Sequence, residues 1–257
     1  TTEINNFAFN YCTALESINM PENVKKLGAT AFQNCESLST AIVIPEGVTE
    51  IGNYTFNNCR KLPSVTIPST VTSIGNYAFN RSGLQSIYIP DSVTSIGMWA
   101  FAWCEEMSEI RISENITTLE EATFQHTNIS TITIPQSVET FGMAVFNGCA
   151  SLEEVVFENK FTTISQGLFL NCSSLKQITI PESVTTIESN AFQGTALESI
   201  TIPANITDIA GNAFWSCNEI KTVNINSVSI YTSLTSSSSC GYILNWGANT
   251  VKVLASI

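Results

Sequence analysis

The sequence predicts a solenoid of about ten stacked coils of 22 to 24 residues, with a parallel β-sheet on one face and short strands and turns elsewhere. Three observations lead there. A phenylalanine recurs at Phe9, Phe32, Phe56, Phe79, Phe101, Phe124, Phe146, Phe169, Phe192 and Phe214, in steps of 23, 24, 23, 22, 23, 22, 23, 23 and 22. A hexad of alternating character, plainest as LESITI from Leu197, recurs as LESINM, LPSVTI, LQSIYI, MSEIRI, ISTITI, LEEVVF, LKQITI and IKTVNI. In seven coils a proline follows the hexad at once, at Pro21, Pro45, Pro68, Pro90, Pro135, Pro181 and Pro203. A period of this size marks supersecondary units that cannot bury their apolar faces alone and do so by stacking.

The coil around Phe192 gives each element its reason. In its hexad, Ile200 and Ile202 point one way and Ser199 and Thr201 the other, the period-2 pattern of a strand with one buried face. Stacked hexads make one parallel sheet. Proline has no N–H to continue the ladder, so Pro181 and Pro203 end a strand and turn the chain. A shorter apolar pair follows, such as Val71 and Ile74 or Val184 and Ile187, with Thr or Ser between them facing out. The coil then closes through an Ala-Phe segment whose ring points inward. At about 4.8 Å per strand, ten coils extend on the order of 50 Å. Residues 1–225 form the coils, the first of them partial, and residues 226–257, where the register lapses into a Ser-rich stretch, form a C-terminal cap; a single domain is expected. Ile4 to Met20 reads as the second half of a coil, so either a partner segment is missing or the chain was cut from a longer array.

Composition limits the partners. Ten Lys and Arg against 22 Asp and Glu leave a formal charge of −12, which argues against nucleic acid and anionic membrane. Charged residues make up 12% of the chain, against about 25% in ordinary globular proteins. Ser, Thr and Asn fill the surface instead, which fits an exported β-solenoid. No run approaches the ~20 apolar residues of a membrane span. Thr1-Thr2-Glu3 carries no signal-peptide pattern, so any signal or anchor is expected outside this segment.

Seven of the eight cysteines, Cys12, Cys35, Cys59, Cys104, Cys149, Cys172 and Cys217, stand three residues after the repeat phenylalanine. The coils of Phe79, Phe124 and Phe192 lack the cysteine and are one residue shorter, so the position reads as deleted there. Cys104 then has no stacked partner, and the position suits a small buried hydrophobe filling a turn. Cys149 with Cys172 stays within the Cα range of a disulfide, and a bridge from Cys217 to the out-of-register Cys240 also stays open. No histidine or second cysteine accompanies each one at metal-ligand spacing.

Units such as IPSTVTSIGNYAFN, ending at Asn80, and IPESVTTIESNAFQGTALESITI, ending at Ile202, resemble the repeats of BspA-like leucine-rich-repeat proteins. The resemblance runs over roughly residues 7 to 225. It implies a leucine-rich-repeat solenoid at the cell surface or secreted, with adhesion or host-matrix contact as its work. It supplies no ligand and no catalytic motif. Ser113 and Glu158 depart from the repeat proline, and an extra residue falls near Thr40, places where the sheet is expected to bend or bulge.

Catalysis has little to draw on. The only histidine, His126, falls in the turn where other coils have Cys or Gly and is expected to be exposed. A histidine-based triad would rest on it alone. Glu105, Glu106 and Glu109, or Glu120 and Glu121, read as solvated charge. Six N-x-S/T sequons, from Asn53, Asn80, Asn115, Asn128, Asn171 and Asn205, matter only in a glycosylating host. Binding has more support. The outward strand positions form a Ser/Thr field broken at its centre by Tyr88, Glu109 and Arg111, an aromatic and a charge pair of the kind that anchors interfaces. A second feature is the column Tyr54, Tyr77 and Trp99, two residues before the repeat phenylalanine, with Trp103 close by. The expected function is an extracellular module that binds a protein or glycan of a host or neighbouring cell, as a monomer without cofactor. The competing reading is a passive spacer that presents another domain.

Overall fold

The computed structural model describes residues 2–158, 160–226 and the strand Thr250–Val253. It is a parallel β-solenoid of about ten coils, and no helix occurs among the described residues. The coils fall into two compact units, Thr1–Ile129 and Ser130–Ile257.

Most coils contribute to two ladders. In the first unit the short ladder runs through Glu50–Ile51, Ser73–Ile74 and Ser95–Ile96, paired in parallel, with Glu3–Ile4 on Lys26–Leu27. The hexads pair as Ile42–Val43 with Val65–Thr66 and Ser86–Tyr88 with Glu109–Arg111. In the second unit Thr131–Ile134 pairs with Glu154–Phe157, and Ser199–Ile202 with Thr222–Ile225, which carries Thr250–Val253 as a further parallel strand. Its short ladder joins Thr163–Ile164, Thr186–Ile187 and Asp208–Ile209. Alternation decides the faces: in Thr131–Ile134 and Ser199–Ile202 each isoleucine is buried and each hydroxyl residue exposed.

The single continuous sheet expected from the hexads is not formed. The hexads at 15–20 and 175–180 adopt no strand, and the remainder divide into two- and three-stranded pieces. At the second gap only the ladder geometry lapses: Leu175 and Ile180 stay buried, and the Glu198 N–H still donates to the Lys176 carbonyl at 3.0 Å.

The core is a column of rings. Phe32, Phe56, Phe79, Phe101 and Phe124 in the first unit, and Phe146, Phe169, Phe192 and Phe214 in the second, are each 0% exposed. Neighbouring rings lie nearly parallel, for example Phe32 to Phe56 at 5.4 Å and 3°, and Phe192 to Phe214 at 5.0 Å and 12°. The in-register repeat forces this offset stacking, which adds about 0.5–1.5 kcal/mol per pair beyond burial.

The turns around the rings from Phe9 to Phe192 hold residues at positive φ, two before the phenylalanine and two after it. Tyr54, Tyr77 and Trp99 stand at φ 58, 56 and 60°, and Asn58, Arg81 and Trp103 at 60, 57 and 62°. Left-handed backbone costs roughly 1–2 kcal/mol per non-glycine residue, so something must hold it. Hydrogen bonds do. The N–H groups of Tyr54, Phe56 and Asn58 donate to Asn76, Ala78 and Asn80 of the next coil, while those of Thr55, Asn57 and Cys59 donate back within their own turn to Gly52, Tyr54 and Phe56. Alternating backbone handedness thus gives every second N–H to the neighbouring coil and leaves none of these donors unpaired.

The cysteine column follows from the same turn. Thiols donate to the carbonyl of the phenylalanine one coil earlier: Cys35 to Phe9 at 3.1 Å, Cys59 to Phe32 at 3.1 Å, Cys104 to Phe79 at 3.1 Å, Cys172 to Phe146 at 3.2 Å and Cys217 to Phe192 at 3.0 Å. The reading that this position is deleted in three coils is corrected. It is filled by Ser82, Thr127 and Thr195, each with its N–H on its own repeat phenylalanine carbonyl as the cysteines have. What is missing is one residue of the turn that follows: Cys59-Arg60-Lys61-Leu62 against Ser82-Gly83-Leu84. The hydroxyls stay bonded there, Ser82 Oγ lying 3.3 Å from Cys104 Sγ and Thr195 Oγ1 donating to the Phe192 carbonyl at 2.8 Å. None of the seven described cysteines is in a disulfide. Burial pushes the Cys35 and Cys104 thiols up to about 11 and raises those of Cys59, Cys172 and Cys217. The proposed partner of Cys217, Cys240, lies outside the described residues.

Candidate functional site

On the strand face of the first unit, parallel register sets Tyr88 opposite Arg111 and Ser86 opposite Glu109. Tyr88 is 57% exposed. The Arg111 guanidinium lies over its ring, 4.8 Å from the centroid. The same guanidinium grips Asp91 with two bonds, 2.8 and 3.1 Å, and donates to the Ile89 carbonyl at 3.2 Å. Glu114 sits 3.8 Å away, and its N–H donates to Asp91 at 3.0 Å. The Arg111 hydrogen bond, with that from the Glu114 backbone, holds the Asp91 carboxyl below its ordinary range. Asp91 likewise raises Arg111.

The structure therefore brings Tyr88 and Arg111 together and leaves Glu109 out of their network. The charge partner of Arg111 is Asp91, not Glu109 as adjacency in sequence suggested. A fork-to-fork guanidinium–carboxylate pair fixes the arginine in one orientation, and the ring above it is held in turn. Asp91 was legible only through the repeat: it starts the turn one coil before Glu114, within reach of a long side chain in that coil.

The column Tyr54, Tyr77 and Trp99 stacks with centroids 4.8 and 6.0 Å apart and interplanar angles of 3 and 9°. These faces are turned on one another, so a ligand meets ring edges and the two phenol oxygens. The column ends where the repeat position becomes Thr30 on one side and Ala122 on the other. Desolvation, with Tyr54 and Glu121 nearby, raises the Tyr77 phenol.

His126 is not the exposed turn residue expected. It occupies the left-handed position two after the phenylalanine, φ 55°, one coil beyond Trp103. There it is half-buried and stacks on the indole, centroids 3.9 Å apart and 22° between planes. Desolvation lowers its pKa against an opposing pull from Glu105. Arg81, one coil earlier, lies 5.6 Å from the same indole centroid. Sequence reasoning missed this Arg81–Trp103–His126 run because the three residues are 22 and 23 apart and of unlike type.

Two parallel ladders, a phenylalanine column and in-register turns define a leucine-rich-repeat solenoid protein. The chain belongs to the BspA type leucine rich repeat family, whose repeat region matches residues 1–42, 39–153 and 142–245 in six copies. Among solved structures it is similar to a leucine rich cell surface protein of Faecalibacterium prausnitzii, with 29% identity, 92% of this chain and 80% of that one covered, and a TM-score of 0.57. It is also similar to the leucine rich repeat protein of T. pallidum, with 26% identity, 68% and 71% coverage and a TM-score of 0.52. No protein of curated function matches the sequence.

Proposed function

We propose that this chain is a non-catalytic binding module of a cell-surface or secreted protein, and that its strand face contacts a protein or glycan of a host or neighbouring cell around Tyr88 and Arg111. The observation that carries the reading is the exposed Tyr88 ring stacked on an arginine locked by Asp91. An exposed aromatic held in one pose loses little entropy on binding, which is what makes such residues interface anchors. The naming of the Faecalibacterium relative as a cell surface protein supports the location. In the second unit the strand face presents hydroxyls at Thr131, Thr133, Ser199 and Thr201, broken by the exposed Glu154 and Val156 and with no exposed aromatic or arginine among its described strands, which favours the spacer reading there.

An array of glycans and matrix proteins, screened with the wild type beside a Tyr88→Ala, Arg111→Ala double variant, tests the proposal. Loss of an anchor of about 2 kcal/mol lowers affinity roughly 30-fold. A wild-type signal undiminished in the folded double variant rejects the strand-face site, and no wild-type signal on any probe favours the spacer.

A further inference from the structure

One coil of the first unit is shorter than both its neighbours in the turn after the ring. Ser82-Gly83-Leu84 lies between Cys59-Arg60-Lys61-Leu62 and Cys104-Glu105-Glu106-Met107. The missing residue leaves a notch of about 300 Å³, lined by Arg60, Arg81, Ser82, Gly83, Trp103, Glu105 and Glu106. Gly83 is required for its floor, since a Cβ there would come within 2.2 Å of the Arg60 carbonyl oxygen. The equivalent short turn of the second unit, at Thr195-Ala196-Leu197, is flanked by Ser173 and Ser174 and by Asn218 and Glu219, with no cation and no ring.

The charges in the notch are unspent. The Arg81 guanidinium rests against the Trp103 indole and makes no hydrogen bond or ion pair with any described residue. Arg60 donates from Nε to Asn58 at 2.8 Å, which aims its terminal nitrogens while leaving them unused. Arg111, by contrast, is consumed by Asp91. In a chain with ten Lys and Arg against 22 acidic residues, two oriented, unpaired guanidinium groups in one notch form a seat for an anion.

Glu105 and Glu106 on the opposite wall choose among anions. They repel a polyanion or a phosphate dianion and accept hydrogen bonds from hydroxyls. Arg60 and the two glutamates stand on coils two steps apart, with Arg81 on the coil between, so a ligand that bridges them needs one carboxylate at the arginines and hydrogen-bond donors at the glutamates, the pattern of a sugar acid rather than of a simple anion.

We infer that this notch binds a terminal acidic sugar residue, its single carboxylate on Arg60 and Arg81 and its ring hydroxyls on Glu105 and Glu106. The site lies on the turns, away from the Tyr88 strand face, and does not depend on the function proposed there.

Titration calorimetry of the full chain with methyl glucuronide, methyl sialoside, neutral methyl glucoside, glycine and sulfate tests it. Arg81→Asn and Arg60→Ser are suitable variants, because Asn34, Asn58 and Asn171 already hold the Arg81 repeat position and Ser173 the Arg60 one. At least one carboxylated glycoside binds saturably, and each variant weakens it about tenfold or more. Methyl esterification of the carboxylate abolishes binding, and Tyr88→Ala leaves it unchanged. Carboxylated glycosides that bind no better than methyl glucoside, or binding that survives Arg81→Asn, overturns the inference. So does tighter binding of glycine or sulfate.

Discussion

Removing one ring from the core column tests whether stability comes from coil-to-coil stacking. Phe56 is 0% exposed and stacks on Phe32 at 5.4 Å and Phe79 at 5.5 Å. Its burial withdraws about 150 Å² or more from water, which at ~25 cal/mol per Å² amounts to about 4 kcal/mol. Phe→Ala in a core costs about 3–5 kcal/mol once the cavity is included, and here two stacked pairs vanish as well. Phe9 is the internal control: half-buried and stacked on Phe32 at 5.1 Å. Phe9→Ala should cost about 1–2 kcal/mol, since part of the ring is already in water. In urea denaturation followed by circular dichroism, Phe56→Ala lowers the midpoint by about 1.5 M, and Phe9→Ala by less than half of that. Hydrogen exchange gives a local readout, because the Phe56 N–H bonds the Ala78 carbonyl at 2.7 Å, and its protection falls in Phe56→Ala. Equal midpoint shifts for the two variants would refute the stacking account, because terminal and internal rings would then contribute alike.

Three further outcomes are expected. In the native protein at about pH 8, iodoacetamide followed by mass spectrometry labels Cys12, which is half-exposed, and spares Cys35 and Cys104, whose pKa near 11 keeps the buried thiol protonated; rapid labelling of Cys104 contradicts this. His126 has its folded pKa below the ordinary value, so its contribution is full above about pH 6.5 and is lost as pH falls toward the folded value, where the unfolded chain binds the extra proton. Thermal melts at about pH 7.5 and 5.5 should accordingly show a smaller acid-induced drop in His126→Phe, which keeps a ring on Trp103, than in the wild type; an equal drop removes His126 from the account. Gly83→Ala drives a Cβ into the Arg60 carbonyl at 2.2 Å and lowers stability by about 1–3 kcal/mol, read as a reduced melting temperature; an unchanged melt means that the turn can shift to make room.

Much of the fold was legible because its causes are local or periodic. A hexad such as LESITI states its buried face by alternation, and Ile200 and Ile202 are buried as written. The phenylalanine period set the coil count and the inward ring. The gap at 175–180 was not legible, since LKQITI alternates as well as its neighbours do and still buries Leu175 and Ile180. Alignment failed at the turns for a related reason. A one-residue deletion can be placed at the cysteine or just after it, and the sequence alone favoured the cysteine. Backbone bonds from Ser82, Thr127 and Thr195 to Phe79, Phe124 and Phe192 place it after.

The candidate surfaces divide the same way. Tyr88 and Arg111 stood out by type, as did the column Tyr54, Tyr77 and Trp99, because an aromatic or an arginine interrupts a field of hydroxyls. Their partners did not. The bond from Arg111 to Asp91, the indole shared by Arg81 and His126, and the notch opened by a missing turn residue each join side chains one or two coils apart. The sequence by itself determined what repeats, namely the coil, its inward ring and its buried strand face, because each is encoded in spacing within a single unit. The tertiary structure decided which charges are satisfied and which remain open, because that depends on the lateral register between coils and on how far each side chain reaches across a gap of about 5 Å.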